Sequence, residues 1–197
     1  MISWLAGFGT GFSLILAIGA QNAFVLKQGL MRRHVLAVVL FCALSDSVLI
    51  AAGVSGMSGI ATAMPWFADA MRWAGAAFLI WYGARSFRAA LAGGGALRPE
   101  GRQAGLAATL ATIAALTWLN PHVWLDTVVL LGAISAQWPD KMAFAAGAIC
   151  ASFLFFFSLG YGARLLTPVF ARPRAWQVLE ICVGCVMWAI ALALIAG

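Results

Sequence analysis

Long apolar stretches, separated by short segments that contain charges, glycine or proline, make up nearly the whole chain. A helix needs about 20 apolar residues to cross a bilayer core about 30 Å thick. The pattern therefore predicts six membrane-spanning helices, with Gly29, Pro65, Pro139 and Pro173 in or near the breaks. We place these helices at about 3–26, 35–60, 66–90, 104–134, 141–164 and 175–196.

The composition favours an integral membrane protein over a soluble one. Of the 197 residues, 64% are hydrophobic and 9% are charged, whereas soluble domains carry about 25% charged residues. Six spans with short loops leave no room for a soluble catalytic domain, so we expect a transporter domain in the lipid bilayer and not an enzyme. Residues 1–26 contain no Lys or Arg, so we expect a retained first span and not a cleaved signal peptide.

Basic residues are distributed unevenly among the predicted loops. Only Arg72 and Lys141 lie on one side, and the remaining Lys and Arg lie in loops one, three and five. Since basic loops stay in the cytoplasm, both termini should face the outer side of the membrane. The net charge of +6 is thus a topology signal, and no nucleic-acid partner is expected. The basic residues of the odd loops are Lys27, Arg32, Arg33, Arg85, Arg88, Arg98, Arg102, Arg164, Arg172 and Arg174.

Six spans divide into two halves of three, and an odd number per half gives the halves opposite orientations. The predicted fold class is an all-α integral membrane protein whose six transmembrane helices form two inverted three-helix repeats. Repeat one covers about 1–92 and repeat two about 103–197, joined within one transporter domain by a glycine-rich cytoplasmic linker at about 93–102. Internal similarity is short: Gln-Asn-Ala-Phe-Val at 21–25 aligns with Leu-Asn-Pro-His-Val at 119–123.

Two aspartates lie in stretches that are otherwise apolar enough to cross a bilayer. Asp46 and Asp126 are each the only charged residue of their predicted span. A carboxylate near the bilayer centre costs about 2.5–3.5 kcal/mol on insertion scales. Such a group is expected to face the protein interior, where it holds a cation, relays a proton or pairs with a buried base. No basic residue is predicted at that depth, so the pattern favours a transporter or pore.

The fourth span is too long for one straight helix, and its middle contains Asn120 and Pro121. Proline removes a backbone donor and clashes with a carbonyl one turn earlier, near Thr117. In lipid, the freed carbonyls need another partner. A substrate, an ion or water in a cavity would supply it; a harmless kink against a neighbouring helix is the alternative. His122 and Asp126 are four residues apart and should share a helix face.

Four further side chains differ from their apolar surroundings. Gln21 and Asn22 both donate and accept hydrogen bonds, which suits recognition of a zwitterion; interhelical packing is the alternative. Trp118 and Trp124 flank Pro121 at a depth where they could stack on a cation, with core packing as the alternative.

Glu180 and the C-x-x-C pair are expected to have structural roles. Glu180 lies close to basic loop five and should form an interfacial ion pair with Arg172 or Arg174. Cys182 and Cys185 lack a second cysteine pair and a helix N-terminus that would lower the pKa of a thiol, so redox or metal chemistry is not expected there. We expect no metal and no cofactor.

Three motifs resemble the lysine/arginine exporter family of bacteria. They are AIGAQNAFVLKQG at Ala17–Gly29, SDSVLIAAGVSG at Ser45–Gly56 and LTWLNPHVWLDTVVLLG at Leu116–Gly132. The resemblance covers nearly the whole chain in size, spacing and order. Related homoserine and neutral amino-acid exporters typically carry proline-glycine-proline in the first span. This chain has Gly-Ala-Gln-Asn at 19–22 instead, which favours the basic amino-acid branch, closest to the arginine exporters.

The resemblance implies export of L-arginine across the bacterial inner membrane, with L-lysine and canavanine as further candidate substrates, by alternating access and without ATP. In that membrane, the outward-facing termini would be periplasmic. It also implies that Asn22, Asp46, Asn120 and Asp126, which occupy motif positions, belong to the functional core. Protons are the candidate coupling ion. The sequence leaves open which aspartate binds substrate, and whether the protein forms a homo-oligomer.

Two readings from other classes compete with a secondary transporter. A membrane thiol oxidoreductase would use Cys42 and Cys150, one cysteine in each half, but would give the buried aspartates and asparagines no role. A passive cation channel would use the aspartates without a saturable binding step.

Overall fold

The computed structural model describes residues 1–16, 19–56, 65–92 and 104–196, with the backbone alone at 65–69, 71, 121, 122 and 171. All regular elements in these ranges are helices. They are α1 (Ile2–Leu16), α2 (Ala20–Met31), α3 (Val35–Val54), α4 (Pro65–Leu91), α5 (Leu106–Trp118), α6 (Pro121–Trp124), a π-helical segment (Leu125–Leu130), α7 (Leu131–Ser135), α8 (Lys141–Gly162), two 3-10 turns (Ala163–Leu166 and Val169–Ala171) and α9 (Pro173–Ala196).

The all-helical membrane architecture expected from the sequence is confirmed. Within the described part of the chain, three helical stretches are long and apolar enough to cross a membrane: α3, α8 with its following 3-10 turn, and α9. The bent pair α1 and α2 makes a fourth if it is counted as one span. The protein is therefore a multi-pass membrane protein. The predicted linker at about 93–102 lies outside the described residues.

The prediction of one continuous first helix at about 3–26 is wrong. Helix α1 ends at Leu16, α2 begins at Ala20, and their axes differ by 81°. Gly19 precedes α2 with extended backbone angles (φ −111°, ψ 177°), so the second helix begins anew from a non-helical residue. The sequence contains no proline at this point, and the apolar pattern alone did not reveal the break.

The predicted break in the fourth span is confirmed. Helix α5 ends at Trp118, and α6 begins at Pro121. Proline suits the first position of a helix because its fixed φ is helical and the N–H that it lacks would have no intrahelical acceptor there. The π-helical turn that follows was not predicted; such turns insert extra backbone into a helix and often occur at functional sites.

Glycines bring α1 and α8 into backbone contact. A Cβ atom added at Gly7 would collide with the carbonyl of Phe144, and one added at Gly147 would collide with the carbonyl of Trp4. Small residues at such positions let membrane helices approach closely and gain van der Waals contact along their length. Helix α1 is consequently held against the second half of the chain.

Helix α3 occupies the middle of the protein. It packs against α8, α5, the π-helical segment and α7, while α4 packs along α9. Gly53 of α3 lies against the backbone of Val128 and Gly132, so no side chain separates these segments. This arrangement places the centre of α3, with Asp46, beside the broken fourth span.

Candidate functional site

A cavity of about 300 Å³ lies between the two broken spans, with its walls formed by the end of α1, the start of α2, the middle of α3 and the break between α5 and the π-helical segment. Helices α8 and α9 contribute one apolar residue each. The lining residues are Leu14, Ile15, Gly19, Ala20, Gln21, Asn22, Asp46, Asn120, Val123, Asp126, Thr127, Phe156 and Ile190.

The structure brings together five of the eight residues that the sequence predicted for a substrate- or ion-binding site. Gln21, Asn22, Asp46, Asn120 and Asp126 all line this cavity, although they come from three separate parts of the chain. The breaks of the first and fourth spans therefore meet at one place, with an aspartate from α3 and another from the π-helical segment beside them.

Asp46 is deeply buried and is held by a hydrogen bond. It is 3% exposed, and its Oδ2 accepts a hydrogen bond from Ser152 Oγ of α8 at 2.8 Å. The bond fixes one carboxylate oxygen and connects α3 to α8. Sequence reasoning missed Ser152, because a single serine in an apolar helix is common and usually bonds within its own helix.

Asp126 lies in the π-helical segment and is half-buried at the cavity. The hydroxyl group of the next residue, Thr127, donates a hydrogen bond to the carbonyl of Val123, one turn earlier. No Lys, Arg or His occurs among the described residues that line the cavity. Two carboxylates thus line a cavity whose described wall contains no basic side chain. The electrostatic potential from these carboxylates attracts cations.

Asn22 connects the two helices of the first span. Its Nδ2 donates to the carbonyl of Ile15 at 2.8 Å, so the side chain satisfies one of the carbonyls at the end of α1. The polar pair at 21 and 22 is therefore part of the break itself. Gln21 is 7% exposed, and its side chain lies against the buried thiol of Cys42 in α3.

The two nominated tryptophans are not part of the cavity wall. Trp118 donates from Nε1 to Ser45 Oγ at 3.2 Å, and Trp124 donates from Nε1 to the carbonyl of Trp118 at 3.0 Å. Their rings meet edge to face with centroids 5.7 Å apart. The two indole rings thus pack between the end of α5 and α3. This arrangement favours a role in core packing for the two tryptophans over stacking on a cation. Pro121 contributes the first position of α6, and its side chain, like that of His122, lies outside the described atoms.

Glu180 does not pair as the sequence predicted. Its partner is Lys27 of α2 and not Arg172 or Arg174. The prediction assumed a partner nearby in sequence, whereas the packing of α2 against α9 brings Lys27, from the N-terminal part of the chain, next to Glu180.

The cysteines have no common location. Cys42 is buried in the core, Cys150, Cys182 and Cys185 are exposed on helix surfaces, and all four are free thiols. The burial of Cys42 and the exposure of Cys150 give no support to a thiol pair that works across the two halves. Among the described residues, no group of three or more His, Cys, Asp or Glu side chains could hold a metal ion.

Comparison with known proteins gives the family. A model of the LysE type translocator family matches residues 12–197. The arginine exporter protein ArgO of Escherichia coli (strain K12) is 43% identical over 194 residues, covering 97% of this chain and 92% of that protein. ArgO of Salmonella typhimurium (strain LT2) is 44% identical over 198 residues, covering 98% and 94%.

A third relative is the putative amino-acid transporter YggA of Aeromonas salmonicida, which is 44% identical over 196 residues and covers 98% of this chain and 95% of that protein. No solved structure matches the chain. Because the family match extends over nearly the whole length and the relatives exceed 40% identity, the chain belongs to the LysE type translocator family.

Proposed function

We propose that the protein is a secondary transporter of the bacterial inner membrane that exports basic amino acids, L-arginine first and L-lysine and canavanine with it. One observation carries the proposal: Asp46 and Asp126 line the same cavity, whose described wall contains no basic side chain. Relatives that cover nearly the whole chain are named arginine exporters.

The cavity suits a small cationic substrate in charge and size. Its volume of about 300 Å³ is at the lower end of the range for small-molecule sites. A buried carboxylate is unfavourable alone, but a guanidinium or ammonium group that enters the cavity compensates the charge and forms short, charge-assisted hydrogen bonds. Two carboxylates provide one group for the substrate cation and a second for the α-ammonium group or a coupling proton.

The packing supports an inverted repeat of three helices with three. A two-fold axis relating the two halves would make α3 the equivalent of α8, and α4 the equivalent of α9. The helices of each pair are in extensive contact with one another, as helices that flank such an axis would be. The same axis would make the contact between α1 and α8 equivalent to the contact between α5 and α3. Both contacts are present. Both repeats begin with a broken span, and both breaks border the cavity, as in transporters that work by alternating access.

Reconstituted transport tests the proposal. Proteoliposomes containing the purified protein should show saturable counterflow of labelled L-arginine, inhibited by L-lysine and canavanine but not by L-leucine. An imposed pH gradient should change the rate if a proton is coupled, and an imposed voltage reports the net charge moved. Unsaturable flux without counterflow would indicate a channel and contradict the proposal.

Asp140→Asn provides the matched control for charge removal at the cavity aspartates. Asp140 caps α8 by accepting a hydrogen bond from Ala143 N at 2.9 Å, and it does not line the cavity. Asparagine also caps helices well, so this variant should transport arginine as the wild type does.

A further inference from the structure

The two cavity aspartates differ in how much of each side chain is accessible. Asp46 is 3% exposed and lies in the contact between α3 and α8, whereas Asp126 is half-buried on the π-helical segment. Both line the cavity. A guanidinium or ammonium group needs room beside a carboxylate to form its hydrogen bonds, while a proton needs almost none. The difference in burial therefore favours Asp126 for a substrate cation and Asp46 for a proton.

The hydrogen bond to Asp46 suits a carboxyl group that gains and loses a proton. Ser152 is fully buried, and its Oγ donates to Oδ2 of Asp46 at 2.8 Å. A hydroxyl group needs no charge on its acceptor, so this bond can persist when the other carboxyl oxygen carries a proton. A lysine or arginine partner would instead favour the ionised form throughout. The serine thus holds Asp46 in place in both protonation states.

The described surroundings of Asp46 contain no cation that compensates its charge. The titratable groups that face it are the Cys42 thiol, one turn earlier on α3, and Asp126 in the same cavity. On the helices packed against α3, Lys27 of α2 is paired with Glu180, and Lys141 is exposed at the start of α8. An ionised carboxylate buried without a cation is unfavourable, and uptake of a proton removes its charge.

We infer that Asp46 carries a coupling proton through the transport cycle and that Asp126 binds the cationic group of the amino acid. The inference rests on the proposed function and divides the roles of its two carboxylates. A cationic substrate in the cavity supplies the positive charge that ionised Asp46 lacks, so binding releases the proton of Asp46 into the cytoplasm. After the substrate leaves on the outer side, Asp46 takes up a proton there. One proton thus enters for each arginine cation exported, and no net charge crosses the membrane.

This division of roles predicts that Asp46→Asn uncouples arginine from protons. Asparagine resembles a permanently protonated carboxyl group, since it is neutral and its side-chain oxygen can accept from Ser152. The cavity can then change sides with or without arginine. Counterflow of labelled arginine should persist within about tenfold of the wild-type rate, but a pH gradient should no longer drive net transport. An inside-negative voltage should instead draw arginine inward, which would also abolish export by cells.

Asp126→Asn should have the opposite effect. The substrate cation loses its charged partner, so counterflow should fall about a hundredfold or more. Asp140→Asn is the matched control, because Asp140 caps α8 and does not line the cavity. That variant should keep both counterflow and transport driven by a pH gradient.

Proton movement provides a second and direct measurement. Proteoliposomes are loaded with a pH-sensitive dye, and potassium with valinomycin holds the membrane voltage at zero. When arginine enters wild-type vesicles down its gradient, protons should leave, and the lumen should become alkaline by one proton per arginine. Asp46→Asn should take up arginine without this signal. Melting temperature in detergent establishes that each variant is folded.

Three results would overturn the inference while arginine export stands. They are net arginine transport by the wild type without proton movement, loss of counterflow in Asp46→Asn that melts like the wild type, and wild-type counterflow in Asp126→Asn. If Asp46→Asn does not fold, the dye signal of the wild type and the counterflow of Asp126→Asn decide the question. Absence of arginine counterflow in the wild type would instead overturn the proposed function itself.

Discussion

Lys27 of α2 and Glu180 of α9 form an ion pair between residues 153 positions apart in the chain. Glu180 is 1% exposed, and its Oε2 has no hydrogen-bond partner among the described residues, whereas the Lys27 side chain is 18% exposed. The pair connects the second helix of the broken first span to the last helix. A buried carboxylate with a single cationic partner depends strongly on that partner.

Lys27→Met should therefore destabilise the protein. Removing one member of a buried ion pair typically costs about 3–5 kcal/mol, since the other charge stays buried and unpaired. The double variant Lys27→Met with Glu180→Leu should recover much of the loss, because no buried charge remains. Melting temperature in detergent measures both effects. Lys141→Met, at an exposed position of α8, is the control; additive losses in the double variant would contradict the expected coupling.

Asp46→Asn should abolish arginine export while membrane abundance stays near the wild-type level. The substitution removes a buried charge from a cavity without a basic side chain in its described wall, and so it also removes an insertion penalty. Canavanine resistance of cells reports export, and immunoblots of membranes report abundance. Resistance equal to that of the wild type would exclude an essential role for this carboxylate.

Ser152→Ala should reduce transport less than Asp46→Asn does. The serine hydroxyl holds Oδ2 of Asp46 at 2.8 Å, so alanine frees the carboxylate to adopt other rotamers but keeps its charge. We expect a loss of about tenfold in transport rate, as one hydrogen bond to a charged group is removed. Ser158→Ala, at an exposed position of the same helix, is the control, and an equal loss in both variants would argue against a positioning role.

Pro121→Ala should lower transport strongly and raise thermal stability in detergent. Alanine restores a backbone donor and removes the clash with the preceding turn, so α5 can continue into α6 and close the break. The cavity would then lose part of its wall at Asn120. Pro173→Ala is the matched control, since Pro173 also occupies the first position of a helix. Transport within about twofold of wild type, well under 1 kcal/mol in barrier height, would indicate a harmless kink.

Gly53→Ala should destabilise the protein, and Gly9→Ala should not. A methyl group at Gly53 would overlap the backbone of Val128, whereas one at Gly9 meets no atom within 4 Å. Overpacking of this kind costs about 1–3 kcal/mol, because the helices must separate to accommodate it. Thermal unfolding in detergent compares the two variants directly, and equal melting temperatures would contradict the close contact of α3 with the π-helical segment.

The sequence predicted which polar residues would come together better than it predicted where the helices end. Asp46, Asp126 and Asn120 are recognisable because charged and amide groups in apolar spans are unfavourable without a function, and Pro121 marks its own break. The break before Ala20 has no such marker. A glycine and two amide side chains, at Gly19, Gln21 and Asn22, also occur where helices simply pack together. Only the structure therefore shows that α1 and α2 are separate helices.

Tertiary partners were the part that sequence reasoning could not supply. Lys27 pairs with Glu180 and Ser152 with Asp46 because α2 packs against α9 and α3 against α8. Which helices become neighbours depends on the packing of the whole chain, and no local pattern encodes it. The π-helical turn around Asp126 is a similar case, since its backbone lies against Gly53 of α3, a neighbour distant in the chain.

The glycine contacts determine where the protein can bend. At Gly7, Gly53 and Gly147, helix backbones touch directly, so sliding by a turn would drive the neighbouring side chains of one helix into the backbone of the other. We therefore expect α1 to move together with α8, and α3 to move together with the π-helical segment. Among the described residues, Gly19 and the break between α5 and α6 lie outside these contacts, so we expect the protein to bend at these two points. Since both points border the cavity, we expect the proposed substrate-binding residues to move when the cavity opens to either side.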